Sequence, residues 1–315
     1  MSARVAAVDC GTNSIRLLIA EPAAEPAAGL LDVCRQMRVV RLGEGVDRTG
    51  RLSDQAIERT RLALLDYAAL ISEAGASRVR MVATSASRDA SNAGQFRDMV
   101  ERALGVQPEV ISGLAEAELS FMGAVAGLPG APDPLLVADI GGGSTELVLG
   151  SPGSATGSAS KVIAAHSMDV GCVRMTERHL HADPPTQAEV TATLADLAGA
   201  LTAAQRDVPL TSAAAFVGVA GTVTTIAALA LDLAAYDPLA IHGAVISYQQ
   251  VAELTERLLA MTRQQRAALA VMHPGRVDVI GGGALVLRTV MEFAHADQVI
   301  ASEHDILDGI ALSLR

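Results

Sequence analysis

The sequence contains one short pattern twice, and the two copies lie 130 residues apart. The first copy is VDCGTNSIRLLIA at residues 8–20, and the second is ADIGGGSTELVLG at residues 138–150. Each copy predicts an apolar strand that ends in aspartate, a tight turn of glycine and small hydroxyl residues, and a second strand. A strand–turn–strand unit repeated at this distance predicts two related lobes. The aligned positions are Asp9 with Asp139, Gly11 with Gly141, and Ser14 with Ser144.

The residues of these turns favour anion binding. Glycine allows backbone N–H groups to approach an anion closely, and serine and threonine hydroxyls add further donors. Two such turns that face each other across a cleft would form a phosphate clamp, with Asp9 and Asp139 left for a metal ion. One such turn alone is better explained as an ordinary hairpin. The duplicated Asp-x-Gly-x-x-Ser pattern therefore carries the phosphate hypothesis.

Composition and patterning both indicate an α/β fold. Half of the residues are apolar, 2% are aromatic and tryptophan is absent. The core must then consist of valine, leucine, isoleucine and alanine, which is typical of parallel sheets covered by helices. Predicted strands alternate with predicted helices in both halves of the chain. The segment LPGAPDP at 128–134 has three prolines and suits a linker, so we expect lobes at residues 1–130 and 131–315.

The net charge of −11 limits the partners of the chain. It opposes binding of nucleic acid, or of any long polyanion, through a broad basic surface. A phosphate ligand would then be held by local donors, a metal ion and a few arginines.

Cysteine usage and hydropathy favour a cytoplasmic protein without a membrane segment. No apolar run approaches the roughly 18 residues that a membrane helix needs. Charged residues interrupt the first 20 residues, which therefore do not resemble a signal peptide. Cys10, Cys34 and Cys172 are odd in number and widely spaced, which indicates reduced thiols rather than a disulfide framework or a zinc site.

Two further segments place glycine at the end of a predicted strand. The first, FVGVAGTVTTIAAL at 216–229, puts Gly221 and Thr222 where a strand turns into a helix. This is a common anion-binding position at a helix N-terminus. The second is VDVIGGGALVLRTV at 277–290. Either segment alone is explained equally well by close packing.

The candidate base lies at the start of a predicted helix. The segment SGLAEAE at 112–118 follows a strand directly, so its side chains can project into a cleft. Glu116 and Glu118 point about 200° apart on a helix, so at most one faces a site. Both are also explained as favourable charge near a helix N-terminus. Arg88, at a strand end, could donate two hydrogen bonds to phosphate oxygens. An ordinary surface arginine at this position is an equally good interpretation.

Taken together, the motifs resemble the exopolyphosphatase/guanosine pentaphosphate phosphohydrolase family (Ppx/GppA). The motifs that carry the resemblance are VDCGTNS (8–14), RLGEGV (41–46), ATSASRDA (83–90), ISGLAEAELSF (111–121), DIGGGSTE (139–146), GCVR (171–174), AGT (220–222) and PGRVDVIGGGA (274–284). They extend in order over essentially the whole chain, which looks most like the short, two-domain actinobacterial members. The resemblance implies two actin-like, ribonuclease H-like α/β lobes of the acetate and sugar kinase/actin superfamily, with a cleft between them.

The resemblance also implies an activity and the residues that perform it. The activity is Mg²⁺-dependent hydrolysis of terminal phosphoanhydride bonds of inorganic polyphosphate, of guanosine pentaphosphate, or of both, without a covalent enzyme intermediate. Glu116 would be the general base that activates water. Asp139, with Glu146 and Asp9, would hold Mg²⁺. The phosphate-binding residues would be Asn13, Ser14, Arg88, Gly142, Gly143, Ser144, Gly221 and Thr222. Relatives are often dimers, so a homodimer is a further expectation.

Two residues depart from the family pattern. Ala115 stands where the first glutamate of the family's ISGxEEA motif is expected, and Glu118 stands where many relatives have a basic residue. The first departure is tolerable if only the second glutamate is the base. The second weakens the case for long polyphosphate if the basic residue of the relatives helps to guide a long polyanion. The closing segment SEHDILDGIAL at 302–312 also resembles the family, and there we expect a turn at Asp308 and Gly309 rather than chemistry.

Two other hypotheses remain. A sugar or acetate kinase of the same superfamily would have similar phosphate turns, and Gly281, Gly282 and Gly283 could then back an adenosine. The ISGLAEAE segment and the lack of a recognisable sugar-binding stretch oppose it. The other hypothesis is not an enzyme but a non-catalytic sensor that binds phosphate or an alarmone. It is conceivable because Ala115 and Glu118 depart from the pattern of the family's enzymes.

Overall fold

The computed structural model describes residues 4–23, 30–128, 130–153 and 160–314. The chain divides into two compact units, one of Met1–Gly123 with Ile306–Arg315 and the other of Ala124–Asp305. The expected lobes at 1–130 and 131–315 differ from these units chiefly at the C-terminus. The last residues belong to the first unit because a terminal helix packs on its sheet.

The first unit is built on a five-stranded mixed sheet in the order β3-β2-β1-β4-β5. Its strands are β1 (Val5–Cys10), β2 (Ser14–Pro22), β3 (Leu30–Val39), β4 (Arg78–Ala83) and β5 (Glu109–Val110). β2 is antiparallel to both β1 and β3, whereas β4 runs parallel to β1 and β5 parallel to β4. The carboxyl ends of β1, β4 and β5 therefore meet at one edge, where ligands commonly bind in α/β sheets.

The second unit repeats this sheet and adds one strand. Its strands are β6 (Leu135–Ile140), β7 (Thr145–Ser151), β8 (Lys161–Met168), β9 (Ala215–Val219), β10 (Val245–Ser247) and β11 (Gln298–Ala301). They stand in the order β8-β7-β6-β9-β11-β10, with β9 parallel to β6 and β11 parallel to β9. The first five match the order of the first sheet, and β10 is an antiparallel edge strand.

Helices connect the strands in both units. They are α1 (Val46–Thr49), α2 (Asp54–Ala74), α3 (Ser85–Asp89), α4 (Ala93–Leu104), α5 (Gly113–Ala126), α6 (Cys172–His179), α7 (Gln187–Ala204), α8 (Ala220–Ala230), α9 (Pro238–Ile241), α10 (Tyr248–Ala260), α11 (Arg263–Ala267), α12 (Ile280–Ala294) and α13 (Ile306–Leu312). Within the described ranges, no helix is both long and apolar enough to cross a lipid bilayer.

Both sheets pack against helices through aliphatic cores, as the apolar composition predicts. In the first unit, α2 and α4 contribute Tyr67 and Phe96 to the core on one face, and α5 and α13 contribute Leu119 and Ile310 to the core on the other. In the second unit, almost every residue of α12 is buried in one continuous core. The predicted α/β class is thus confirmed.

The repeated pattern forms the same hairpin in both units. The Gly11 N–H donates to the carbonyl oxygen of Ser14, and the Gly141 N–H donates to that of Ser144, each at 3.0 Å. Both turns lie at the carboxyl end of the central parallel strand of their sheet. The sequence repeat is therefore a repeat of structure.

A pH-dependent contact stabilises the start of α7. The Glu189 carboxylate accepts from the N–H groups of Thr186, His181 and Ala182 at 2.7–3.0 Å. These bonds, the one from Thr186 foremost, lower the pKa of Glu189 from 4.5 to about 2. Because folding lowers this pKa, the interaction stabilises the protein fully above pH 4.5. The stabilisation is lost as the pH falls through 2.

We therefore expect Glu189→Gln to lower the urea midpoint of unfolding at neutral pH and to matter progressively less as the pH falls towards 2. Glu118→Gln, which changes an exposed glutamate, is the control and should give no such pH-dependent difference. A Glu189→Gln effect that is constant over this pH range would contradict the assignment.

Candidate functional site

The first polar cluster lies at the carboxyl edge of the first sheet. It consists of the turn between β1 and β2, the start of α3 and the start of α5. The carbonyl oxygens of this turn are held by a neighbouring segment, because Thr12 accepts from the Gly43 N–H and Asn13 from the Arg41 N–H, both at 2.8 Å. The hydroxyls of Thr12 and Ser85 are 2.8 Å apart, which joins the turn to α3.

Glu116 lies in this cluster and is 7% exposed. The Arg88 Nη1 donates to Glu116 Oε2 and to the Ile111 carbonyl oxygen, each at 3.1 Å. Two residues predicted from separate motifs are thus in direct contact. Glu118 is exposed, so of the two glutamates only Glu116 lies in the cluster.

The packing of Ala115 explains one departure from the family pattern. Ala115 packs against the apolar cluster that α13 forms with Ile306 and Leu307. A glutamate at this position would bring a carboxylate against an apolar surface, which is costly. Alanine therefore suits the side of α5 that faces α13.

Asp9 is paired with an arginine that the sequence analysis did not single out. Asp9 and Arg16 are directly opposite each other on β1 and β2. The Nη2 and Nε of Arg16 donate to Asp9 Oδ2 at 2.7 and 3.0 Å. Asp9 is 4% exposed, so this is a largely buried ion pair.

The second polar cluster surrounds the turn between β6 and β7. Its carbonyl oxygens are held by the start of α6, because Gly141 accepts from Cys172 N–H at 2.9 Å and Gly142 accepts from Val173 N–H at 2.8 Å. Among the described residues, none accepts a hydrogen bond from the N–H of Gly142, Gly143 or Ser144. Three consecutive amide donors are therefore available for an anion.

Asp139 and Glu146 face each other across β6 and β7. They are 6% and 1% exposed, and the Ser167 Oγ donates to Glu146 Oε1 at 2.7 Å. Carboxylate oxygens are the ligands that Mg²⁺ prefers. This pair therefore fits a divalent metal ion.

The donor set suits a metal that keeps part of its water shell. In the described ranges, no group of three or more His, Cys, Asp or Glu side chains forms a metal site. Mg²⁺ is commonly held by one or two carboxylates together with water and substrate phosphates. Asp9, the third predicted ligand, lies in the other unit and is bonded to Arg16.

Gly221 and Thr222 lie in the first turn of α8, directly after β9. The guanidinium of Arg276 covers Gly221 so closely that a Cβ there would overlap it. Arg276 Nη1 also donates to Thr225 Oγ1 at 2.9 Å. The predicted strand-to-helix junction is therefore present, with an arginine beside it.

The three glycines of α12 serve helix packing. Gly281, Gly282 and Gly283 are buried. A Cβ on Gly282 would lie 2.9 Å from the Cys172 carbonyl oxygen, and one on Gly283 would lie 3.0 Å from the Cys172 Cβ. These glycines allow α12 to approach α6 closely, so they do not offer the open surface that the kinase hypothesis requires.

Sequence analysis missed three arginines in these clusters, although each lies inside or next to a motif that it identified. Arg16 follows the first turn, Arg174 ends GCVR, and Arg276 lies in PGRV. Arg174 Nε donates to the Gly143 carbonyl oxygen at 2.7 Å. No local sequence pattern distinguishes these three from surface arginines. Only their tertiary contacts identify them.

Comparison with known proteins gives matches over nearly the whole chain. The sequence model of the Ppx/GppA phosphatase family matches residues 20–315. "Exopolyphosphatase 2" of Mycobacterium tuberculosis is 54% identical over 321 aligned residues, which cover 99% of this chain and 98% of that protein.

Solved structures are similar over the same extent. The crystal structure of an exopolyphosphatase-like protein has a TM-score of 0.93 and 44% identity, covering 99% of this chain and 98% of that one. The crystal structure of the Aquifex aeolicus member of the Ppx/GppA protein family has a TM-score of 0.81 and 32% identity, covering 100% and 98%.

The geometry of the second turn depends on Gly171, which gives a testable prediction. Its backbone is extended, but a Cβ would lie 2.6 Å from the Gly142 carbonyl oxygen and 2.8 Å from that of Gly141. We expect Gly171→Ala to destabilise the protein by about 1–3 kcal/mol through overpacking and to shift the amide resonances of Gly142 and Gly143.

Gly199→Ala is the matched control, because this helical glycine of α7 has no atom within 4 Å of a Cβ position. It should leave the thermal unfolding temperature unchanged or slightly raised. Equal effects of the two alanines on unfolding would exclude a specific role of Gly171.

Proposed function

The chain belongs to the Ppx/GppA phosphatase family, and we propose that it removes terminal phosphate groups from inorganic polyphosphate by hydrolysis. The family resemblance read from the motifs is confirmed, as is the α/β fold class. As a member of a phosphatase family, the protein is a hydrolase. The relative with 54% identity, matched over 98% of its length, is named for exopolyphosphatase activity, which supports polyphosphate as the substrate.

The observation that carries the proposal is the row of amide donors at the second turn. Gly143 and Ser144 are buried, and in the described chain their N–H groups and that of Gly142 have no acceptor. Buried donors are costly unless they are satisfied. A phosphate group offers several oxygens to such a row, so Gly142, Gly143 and Ser144 are proposed to bind phosphate. Asn13, Ser14, Arg88, Gly221 and Thr222 remain the other proposed phosphate-binding residues.

The proposed reaction is attack of water on the terminal phosphorus. Glu116 accepts a proton from the water, a new P–O bond forms, and the phosphoanhydride P–O bond breaks. The products are orthophosphate and a chain shortened by one unit. Arg88, in contact with Glu116, holds the carboxylate in one orientation. Positioning and charge neutralisation provide most of the catalysis in such reactions.

The proposed metal ligands are Asp139 and Glu146, with Asp9 the least suited because Arg16 binds it. A bound Mg²⁺ would neutralise charge on the phosphate oxygens. Ser167 orients Glu146 through its hydroxyl. Among the side chains of this cluster, Cys172 is not a good nucleophile, because burial raises the pKa of its thiol.

Guanosine pentaphosphate ends in the same type of bond and is included in the proposal as a second substrate. Phosphate release from polyphosphates of short and long chain length, from guanosine pentaphosphate and from ATP would establish the preference. A tightly bound ligand without any phosphate release over hours would instead favour a sensor. Phosphorylation of acetate or glucose by ATP would favour a kinase.

We also propose that the protein is cytoplasmic, and we predict that it forms a homodimer. Cys10, Cys34 and Cys172 are free, as expected of a reducing compartment. Size-exclusion chromatography with light scattering would give the oligomeric state.

We predict that Glu116→Gln lowers the rate of phosphate release by about 10²–10⁴-fold, the range for loss of a general base, while polyphosphate binding is largely retained. Glutamine keeps the shape of the side chain but accepts no proton. Glu118→Gln is the control, because it changes an exposed glutamate on the same helix. Turnover like that of the wild type in Glu116→Gln would remove Glu116 from its role.

We also predict that chelation of divalent cations stops hydrolysis and that Asp139→Asn weakens metal binding. Titration with Mn²⁺, followed by electron paramagnetic resonance, measures this binding without activity. Asp207→Asn, at an exposed carboxylate of the same unit, should bind Mn²⁺ like the wild type. Unchanged Mn²⁺ affinity in Asp139→Asn, or activity that persists in chelator, would argue against the metal assignment.

A further inference from the structure

The helix that carries Glu116 begins after a very short strand. It follows β5, which has two residues and pairs with β4 alone. One further bond, from the Ile111 N–H to the Ala83 carbonyl oxygen, extends this pairing. This strand pairing fixes where α5 begins, and side-chain packing on the sheet and on neighbouring elements sets its direction.

The C-terminal helix α13 supplies such contacts. It lies on the same face of the first sheet as α5, in an apolar cluster that includes Val5, Leu18, Leu119, Ile306 and Ile310. The sequence analysis expected a turn at Asp308 and Gly309, but both lie inside α13. Both residues contact other elements of the first unit: Gly309 lies against Leu119, and Asp308 is bound by Arg35.

Gly309 brings the backbones of α13 and α5 into direct contact. A Cβ at Gly309 would overlap the carbonyl oxygen of Leu119 and lie 2.7 Å from its carbonyl carbon. Leu119 is three residues after Glu116, which places the two on the same side of α5 about one turn apart. A displacement of α5 at Leu119 therefore moves Glu116.

Asp308 fixes α13 in place from the adjacent position. Its carboxylate is bound by both Nη atoms of Arg35 on β3, at 2.6 and 3.2 Å, and its side chain is 9% exposed. Arg35 is held in turn by Asp32, through a 2.7 Å bond from Nε. This fork limits both sliding and rotation of α13.

We propose that α13 positions the general base: the Gly309–Leu119 contact and the Asp308–Arg35 pair hold α5 so that the Glu116 carboxylate meets the attacking water. The proposal rests on the proposed role of Glu116. Gly309, Asp308 and Arg35 are positioning residues that act through Glu116. Small misplacements of a reacting group lower rates strongly, by roughly 10²-fold for 1 Å.

The first test is Gly309→Ala, with Gly94→Ala as its control. Both glycines are helical and in the first unit, but a Cβ at Gly94 meets no atom within 4 Å. We expect Gly309→Ala to lower kcat by roughly 10- to 100-fold while KM for polyphosphate stays near that of the wild type. Gly94→Ala should leave both unchanged. A folded Gly309→Ala enzyme with wild-type kcat would overturn the proposal.

The second test separates positioning from general destabilisation. If α13 acts through Glu116, Gly309→Ala should have little further effect on the residual activity of Glu116→Gln, because the group it positions is already lost. An equal loss in both backgrounds would mean that α13 acts elsewhere and would overturn the proposal. Full activity of Glu116→Gln alone is a distinct result, which would refute the proposed function itself.

Arg35→Gln keeps the test decisive if Gly309→Ala does not fold. This substitution removes the two hydrogen bonds from Arg35 to Asp308. It changes a residue of the edge strand β3 and leaves the contact between Gly309 and Leu119 in place. We expect a smaller loss of kcat than in Gly309→Ala, with KM unchanged and the same lack of additivity with Glu116→Gln. An additive loss, or a rise in KM alone, would overturn the proposal.

Discussion

The satisfaction of the turn carbonyls is the constraint on which both polar clusters depend. Each turn stands at the carboxyl end of a central strand, where its carbonyl oxygens need donors. Backbone N–H groups of a neighbouring segment supply them in both units. Each segment approaches closely through a glycine, Gly43 at Thr12 and Gly171 at Gly142. With its carbonyls bound, the second turn has amides without an acceptor in the described chain, which is the arrangement that the proposed phosphate binding requires.

The duplicated scaffold carries different charges in its two copies. The residue opposite the strand-end aspartate is Arg16 in the first hairpin and Glu146 in the second. In the first hairpin the two opposed charges cancel, because Arg16 binds Asp9. The second hairpin places Asp139 opposite another carboxylate, and such oxygens are the ligands that Mg²⁺ prefers. A repeated backbone thus permits two chemistries, and the difference lies in one position of the motif.

The sequence predicted the features that local patterns encode. The two hairpins, the junction at Gly221 and the helical position of Glu116 follow from strand, turn and helix signals within a few residues. The contacts of Arg88 with Glu116, of Arg276 with Gly221, and of α13 with the first sheet join residues 28 to 300 positions apart in the chain. Such contacts follow from tertiary packing, which no local period reveals.

The acidic net charge and a polyphosphate substrate are compatible once the arginines are located. A chain of net charge −11 cannot attract a long polyanion along a broad basic face. Arg174 and Arg276, however, are half-buried beside glycine turns and are already held by hydrogen bonds to Gly143 and Thr225. Preorganised donors lose little entropy on binding. Under the proposed function, each would contact a single phosphate group, which suits an enzyme that acts on the end of a polyphosphate rather than along its length.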